Sequence, residues 1–355
     1  MYNLDKPVLK KHLVDELSKT KQYEYCFLNN KSVDTNFHRI TTINLNKFDY
    51  KVSFLFTTWN RTEYFKKAVD SINEFNYKNI EFIIVDDGSG FEMDEYVEKI
   101  KSQSNFLIKY IKTNGGNGPG INKRIGFDHC NGDYIVFMDD DDFYFNPLFL
   151  LKSFQIFSEH DSVAAIFYNS FILNMEKNQI SIGTKLNLKG LYHSKYVLEN
   201  FMSAINKPNS TFPAIFDLKK YKNSHVDKMK ILNDTSIYLT GILSGDVYFC
   251  EDFVGVYRLH NGSMGKNLSI DYIIDNMNEK LNIAKYLSKE IDKEKWIRKQ
   301  ISITFNHYLN ESNSINWLKL IKWLHHLSFW TRVYLLVRIP IQRYKYFSKK
   351  GEKSA

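Results

Sequence analysis

Apolar and polar positions along this chain fall into short alternating blocks from Val52 onward. Val52-Ser53-Phe54-Leu55-Phe56 is short, β-branched and aromatic, and it predicts a buried strand. The polar loop Thr57 to Arg61 follows. Thr62 to Phe75 then carries Phe65, Ala68, Val69 and Ile72 at helical spacing, with Thr62 placed to cap the helix. Ile80 to Val85 predicts a second strand, ending in Asp86-Asp87-Gly88-Ser89. A helix over Met93 to Ser102, a strand over Leu107 to Ile111, a glycine-rich loop over Asn114 to Gly120, a helix over Ile121 to Cys130 and a strand over Tyr134 to Met138 complete the run. Four strands alternating with three helices at short spacing are the signature of a mainly parallel, doubly wound α/β sheet.

The pattern is weaker on either side. Residues 1 to 50 mix a short helical stretch, Val8 to Ser18, with Asn- and Thr-rich sequence, and read as an extension packed on the main domain. Beyond Pro147, Ser162 to Leu173 and Gln179 to Gly183 predict strands of a mixed region, His193 to Met202 a short helix, and Val247 to Cys250 and Val254 to His260 two further strands. From Ser269 the spacing of Ile273, Ile274, Met277, Leu281, Ile283 and Ala284 is helical, and Trp296 to Leu309 and Trp317 to Leu327 repeat it. The expected organisation is therefore 1–50, 51–150, 151–268 and a helical extension over 269–355.

Composition narrows the class. At 355 residues with 43% hydrophobic and 25% charged positions, the chain can bury a core and is not a disordered protein. Cys26, Cys130 and Cys250 lie far apart in no ligand-like spacing, which points away from a disulfide framework or zinc site and toward a reducing compartment. Met1 to Lys11 lacks the apolar stretch of a secretory signal, and no window offers about 18 apolar residues in a row to cross a membrane. The expectation is a cytoplasmic protein. Of the formal net charge of +8, the segment Ile291 to Ala355 holds thirteen Lys and Arg against four Asp and Glu, or +9, so the remainder is close to neutral. A nucleic-acid-binding protein would carry its charge on a folded face with exposed aromatics, so that class is disfavoured. The apolar, aromatic run Phe329 to Pro340, followed by Arg343, Lys345, Lys349 and Lys350, predicts a segment lying on an anionic membrane surface, on the inner face of the cell membrane. Packing on the main domain or against a second copy of the chain, giving a homo-oligomer, accounts for it equally well.

The candidate chemistry sits at strand ends. Tyr134 to Met138 is followed by Asp139-Asp140-Asp141-Asp142, and in open α/β sheets ligands bind in the crevice outside the carboxyl ends of the strands. Adjacent carboxylates repel one another unless a cation or solvent separates them, and a hard divalent ion backed by a diphosphate suits such a site. An isolated acidic run is more often a solvated turn, and Asp86 to Ser89 alone is an ordinary turn. A parallel sheet nevertheless brings Trp59, Asp87 and the Asp run to one edge, where Trp59 offers a face for stacking a base, an Asp accepts the imide N–H of uracil and the carboxylates hold metal and pyrophosphate.

Val52 to Arg61, Val85-Asp86-Asp87-Gly88-Ser89 and Gly132 to Asp142 together resemble, in order and spacing, the three markers of the family 2 glycosyltransferases with the GT-A fold. The resemblance covers about 51 to 150. It implies a nucleotide-diphosphate sugar donor, commonly UDP-linked, bound with Mg²⁺ or Mn²⁺; a GT-A sheet with a mixed acceptor-side region; and transfer, hexosyl or N-acetylhexosaminyl, to a glycan or lipid-linked acceptor. On matching positions Thr57 and Trp59 would hold the base with Arg61 beside them, Asp87 the uracil edge, and Asp139, Asp140 and Asp141 the Asp-x-Asp motif, with Asp141 contacting the metal. Where the family often has Ala-Arg-Asn, this chain reads Asn122-Lys123-Arg124, so either Lys123 or Arg124 would reach the diphosphate. Asp234 matches the base that an inverting transferase needs on the acceptor side, with Asn233 in place of the usual Glu; a helix N-cap is its plainer role. Tyr257-Arg258-Leu259-His260 matches Tyr-Arg-x-His, with Arg258 implied to neutralise diphosphate and His260 to complete the metal shell. A nucleotidyltransferase acting on a sugar phosphate is the rival on this fold. It normally needs a glycine-rich loop after the first strand, and the loop after Phe56 has no glycine.

Overall fold

The computed structural model describes residues 8–9, 48–75, 77–146, 148–260, 269–312 and 314–338. The expectations for most of 1–50, for Cys26, and for 339–355 with Arg343, Lys345, Lys349 and Lys350 lie outside the described residues.

After the short strand β1 (Val8–Leu9), the chain alternates β2 (Val52–Thr58), α1 (Thr62–Asn73), β3 (Ile80–Asp86), α2 (Phe91–Gln103), β4 (Leu107–Lys112), α3 (Gly118–Phe127) and β5 (Tyr134–Asp139). Strands β2 and β5 pair in parallel, as do β2 with β3 and β3 with β4. Period-two alternation explains why both faces are covered. Phe54, Phe56, Phe82, Ile84, Val136 and Met138 enter the cluster that Phe65, Val69 and Ile72 of α1 close. Leu55, Ile83, Val85, Ile135 and Phe137 enter the opposite cluster with Phe127 of α3. Burying a Phe or Leu side chain contributes about 1.5–3 kcal/mol, so these runs fix the register of the parallel core. Gly126 lets α3 lie on the sheet: a Cβ there would meet Leu55 Cδ1 at 2.2 Å and Val85 Cγ2 at 2.8 Å.

The second half follows as β6 (Phe143–Tyr144), α4 (Phe149–Glu159), β7 (Val163–Asn174), β8 (Gln179–Ser181), β9 (Gly190–Tyr192), α5 (Ser194–Asn200), β10 (Ala214–Asp217), α6 (Leu218–Lys222), α7 (Asp234–Leu243) and β11 (Asp246–Leu259). β10 runs antiparallel to both β5 and β7 and joins this mixed half to the parallel core. The sheet order is β1-β8-β7-β10-β5-β2-β3-β4, and β11 pairs off that path with β6, β7 and β9. The two strands expected over 247–260 form one, β11, because register shifts between Phe249 and Phe253 and between Phe253 and Gly255 absorb the polar stretch at Glu251-Asp252.

Helices α8 (Ile270–Ala284), α9 (Lys293–Glu311) and α10 (Trp317–Leu324) close the fold, with a last helical stretch over 329–338. Ile273, Met277, Trp296, Ile301, Phe305, Leu320 and Trp323 extend the cluster that lies behind α3 and α7, so the helical extension is packed on the sheet. Among the described residues no helix is long and apolar enough to cross a membrane.

Two local expectations are corrected. Thr62 is the first helical residue of α1, not its cap; Arg61 holds the cap position without a side-chain bond. Asp234 is likewise not a cap: Asn233 is, its side-chain oxygen accepting from Ser236 N at 3.0 Å.

Candidate active site

Register brings the strand tips together. Thr57 lies opposite Asp139 and Thr58 opposite Asp86. Trp59 projects from the tip of β2 with 59% of its surface exposed, free to stack on a planar ligand. Asn60 takes a left-handed conformation (φ 50°), and its N–H donates to Ser89 Oγ at 2.8 Å while its Oδ1 accepts from Gly90 N at 3.2 Å. The tips of β2 and β3 are thereby tied into one rim.

Asp86 and Asp87 divide two tasks. Asp86 is buried and accepts from Ser89 N and Tyr110 OH, holding the turn. Asp87 accepts from Thr113 Oγ1 (3.0 Å), Asn117 N (3.2 Å) and Gly118 N (2.9 Å), so it closes the glycine-rich loop over the start of α3. Burial would raise its pKa, but the donors from Asn122, Gly118, Thr113 and Asn117 hold it below the usual carboxylate range. A uracil N–H expected at Asp87 would share its oxygens with these donors.

The four-Asp run is held by several partners, with Arg61 shared between Asp140 and Asp141. Asp139 forms an ion pair with Lys123 Nζ at 2.7 Å. Asp140 accepts from Thr58 Oγ1 at 2.8 Å and pairs with Arg61 at 3.2 Å, while Asp141 pairs with Arg61 at 3.0 Å and with His260 Nε2 at 2.9 Å. Asp142 is fully buried, accepting from Ser210 Oγ at 2.6 Å and Arg258 N at 3.3 Å. Burial and the like charge of Asp141 push Asp140 up to about 7 and Asp142 well above its ordinary value. Asp141 goes the other way: His260 and Arg61 outweigh burial and lower it. Of the four, Asp141 is thus the carboxylate most firmly kept ionised.

Three expected donor contacts sit elsewhere or act indirectly. Arg124 turns along its own helix to Asp128 at 2.6 Å, whereas Lys123 points into the acidic cluster. Burial acts to lower the Lys123 pKa, but the charges of Asp139 and Asp234 more than offset it and raise it. Arg258, only 2% exposed, does not face the cleft; it donates through Nε to the carbonyl of Asp141 and through a terminal nitrogen to that of Tyr64 at 3.1 Å, with Tyr64 and Phe143 stacked on its guanidinium. It clamps the backbone of the Asp run. His260, stacked on Tyr64, reaches Asp141 and so orients that carboxylate.

Asp234 enters from the opposite side. Leu232 N donates to Gly120 O at 2.9 Å, and Glu279 of α8 accepts from Lys230 N and Ile231 N, so the segment before α7 is fastened to both α3 and α8. Asp234, in the first turn of α7 with its side chain 44% exposed, then lies where its charge bears on Asp139, Lys123 and Tyr272. Lys207 Nζ stands 3.7 Å from Asp234 Oδ2 and 5.2 Å from the ring centre of Tyr238. Sequence reasoning missed Lys207, Tyr272, Ser210 and Glu279, since each reaches the site by packing between distant segments and carries no motif.

The donor chemistry suits a hard divalent cation. Among the described residues no three His, Cys, Asp or Glu side chains converge as a closed metal cage. Carboxylate oxygens of Asp139 and Asp141 at an open rim match an ion that takes one or two protein oxygens and fills its shell with phosphate and water.

Residues 53–214 match the family model described as "Glycosyl transferase family 2". Curated relatives include the GalNAc(5)-diNAcBac-PP-undecaprenol beta-1,3-glucosyltransferase of Campylobacter jejuni, 32% identical over 92 residues, covering 26% of this chain and 30% of that one. Another is the poly(ribitol-phosphate) beta-N-acetylglucosaminyltransferase TarS of Staphylococcus aureus, 24% identical over 230 residues, covering 59% and 39%. The chain thus spans well under half the length of these two relatives. Among solved structures, S. aureus TarS 1–349 in complex with UDP-GlcNAc superposes with a TM-score of 0.58 at 16% identity, over 78% of this chain and 79% of that one. The likeness establishes the α/β mixed-sheet fold with C-terminal helices.

Proposed function

We propose, from the premise that residues 53–214 belong to glycosyltransferase family 2, that this protein is an inverting, metal-dependent glycosyltransferase moving a hexosyl or N-acetylhexosaminyl unit from a UDP-linked donor to a hydroxyl of a glycan or lipid-linked acceptor. The observation that supports it is the convergence of Thr57, Trp59 and the Asp139 to Asp141 carboxylates at the tips of β2 and β5, with Asp234 at the start of α7 near enough for its charge to bear on Asp139 and Lys123. TarS, similar in fold, binds UDP-GlcNAc in its crystal structure, which favours a UDP-sugar here.

In this reading Trp59 stacks on the base, and Asp139 and Asp141 would hold Mg²⁺ or Mn²⁺, with His260 and Arg61 orienting Asp141. When bound, the ion would offset charge that develops on the departing diphosphate. Lys123 adds a fixed positive charge beside Asp139. Asp234, partly exposed, accepts the proton of the acceptor hydroxyl as that oxygen attacks the anomeric carbon from the face opposite UDP. Arg258 keeps the Asp run in register so that both reactants meet in line.

The protein would work at an anionic membrane surface. The helix over 329–338 buries Thr331 and Leu335 and turns Phe329, Trp330, Val333, Leu336 and Val337 outward, 39–73% exposed, with Arg332 and Arg338 at its sides. Trp317, Leu318 and Ile321 of α10 are exposed too, beside Lys319 and Lys322. Apolar side chains flanked by cations match the interface of an anionic bilayer. Flotation with liposomes containing anionic lipid is expected to carry the chain upward, and Trp330→Glu with Leu336→Glu to leave it behind; equal flotation of both would remove the membrane from the account. For the reaction, a panel of sugar nucleotides is incubated with the protein and Mn²⁺ and free UDP is measured. Release from one UDP-sugar is expected; release from none of the UDP-sugars would contradict the reading.

A further inference from the structure

Beside Asp234 lies a groove that the donor chemistry leaves unused. Thr184, Met202, Ser203, Ile205, Asn206, Lys207, Pro208 and Asn209 line it, and its volume is about 340 Å³, the size of a pocket for one small ligand. Side-chain and backbone bonds latch its walls together. Asn187 donates to Ala204 O at 2.7 Å and accepts from Asn206 N at 2.9 Å; Asn206 donates to Lys185 O at 2.7 Å; and Asn209 accepts from Thr184 N at 3.0 Å. The groove is therefore formed before any ligand arrives.

Its lining holds one cation, several neutral polar side chains and no carboxylate. The cation is Lys207, whose side chain is only 20% exposed and whose ammonium lies 3.7 Å from Asp234 and 2.9 Å from Pro208 O. Burial lowers its pKa against the pull of Asp234, and an anion in the groove would favour the charged ammonium. We propose that this groove is the acceptor subsite and that Lys207 binds a phosphate group carried by the acceptor next to the hydroxyl that is glycosylated. The inference rests on the reading of Asp234 as the base. A phosphate on Lys207 places the neighbouring hydroxyl of a polyol or sugar phosphate at Asp234. Discrimination follows: a neutral acceptor gains no ion pair from Lys207, the one cation among the lining residues.

The test uses the full chain with UDP and Mg²⁺ at saturation, so that the diphosphate site is filled, and sn-glycerol 3-phosphate as the probe in saturation-transfer NMR. Glycerol phosphate is expected to bind the native protein and to lose about tenfold or more in affinity with Lys207→Met, while Lys207→Arg retains most of it. Glycerol is expected to show no binding. Equal affinity of glycerol phosphate for the native protein and Lys207→Met, or equal binding of glycerol, overturns the proposal. UDP binding is followed in the same samples: UDP bound without glycerol phosphate sinks this inference alone, and no UDP binding sinks the donor reading with it.

Discussion

The two rims of the cleft are built in opposite ways. On the donor rim, Asp140, Asp141 and Asp142 are nearly or fully buried, and every charge there has a fixed partner. On the acceptor rim, Asp234 is 44% exposed and its one ion pair among the described residues, to Lys207, is long at 3.7 Å. Charges gathered under a sheet edge are expensive unless compensated, so the donor rim is rigid and its occupants are prescribed. The acceptor rim keeps one carboxylate accessible, as the proposed role of Asp234 in accepting a proton requires.

Substitutions separate the two. Asp234→Asn is expected to lower transfer by about 10²–10⁴-fold and leave UDP affinity unchanged, measured by turnover and by calorimetry. A parallel loss of UDP affinity would erase the distinction. Arg258→Ala attacks the donor rim from behind: it leaves the Asp141 carbonyl and buried Asp142 without their cation, and denaturant unfolding is expected to show a loss of about 3–5 kcal/mol together with UDP binding.

A smaller effect lies in the framework behind the acceptor rim. Lys280 is buried, bonded to Gln300 O at 3.1 Å and to Thr304, and burial lowers its pKa to about 7. Because the folded value lies below the unfolded one, the unfolded chain binds the extra proton between about pH 7 and 10.5, and stability rises with pH through that window. Lys280→Met is therefore expected to stabilise by about 1–3 kcal/mol at pH 7, with the gain vanishing near pH 10. A gain that does not depend on pH would show that packing rather than charge is responsible. Arg124→Ala, outside both rims, is expected to change stability by less than about 0.5 kcal/mol and UDP affinity not at all.

The same contrast explains what the sequence disclosed. The donor rim is made by short apolar runs whose polar ends a parallel sheet must bring together, so Thr57, Trp59, Asp87 and Asp139 to Asp141 could be placed at one edge from local pattern alone. The acceptor rim depends on contacts between distant segments. Arg258 meets Asp141 across 117 positions, and no local signal distinguishes a clamp on the backbone from a ligand for diphosphate. Lys207 and Tyr272 stand in unpatterned or purely amphipathic stretches, and their nearness to Asp234 follows from the docking of α7 against α3 and α8. Asn233 looked like a lost carboxylate; its amide oxygen is the cap of α7, which releases Asp234 from that duty.

In the proposed reading base, pyrophosphate and cation are gripped together at the donor rim. Thermal unfolding with UDP, with and without Mn²⁺, tests it most directly. The account predicts that UDP raises the melting temperature only when the ion is present, and that Asp141→Ala abolishes the shift. Protection by UDP that survives EDTA and Asp141→Ala alike would contradict it.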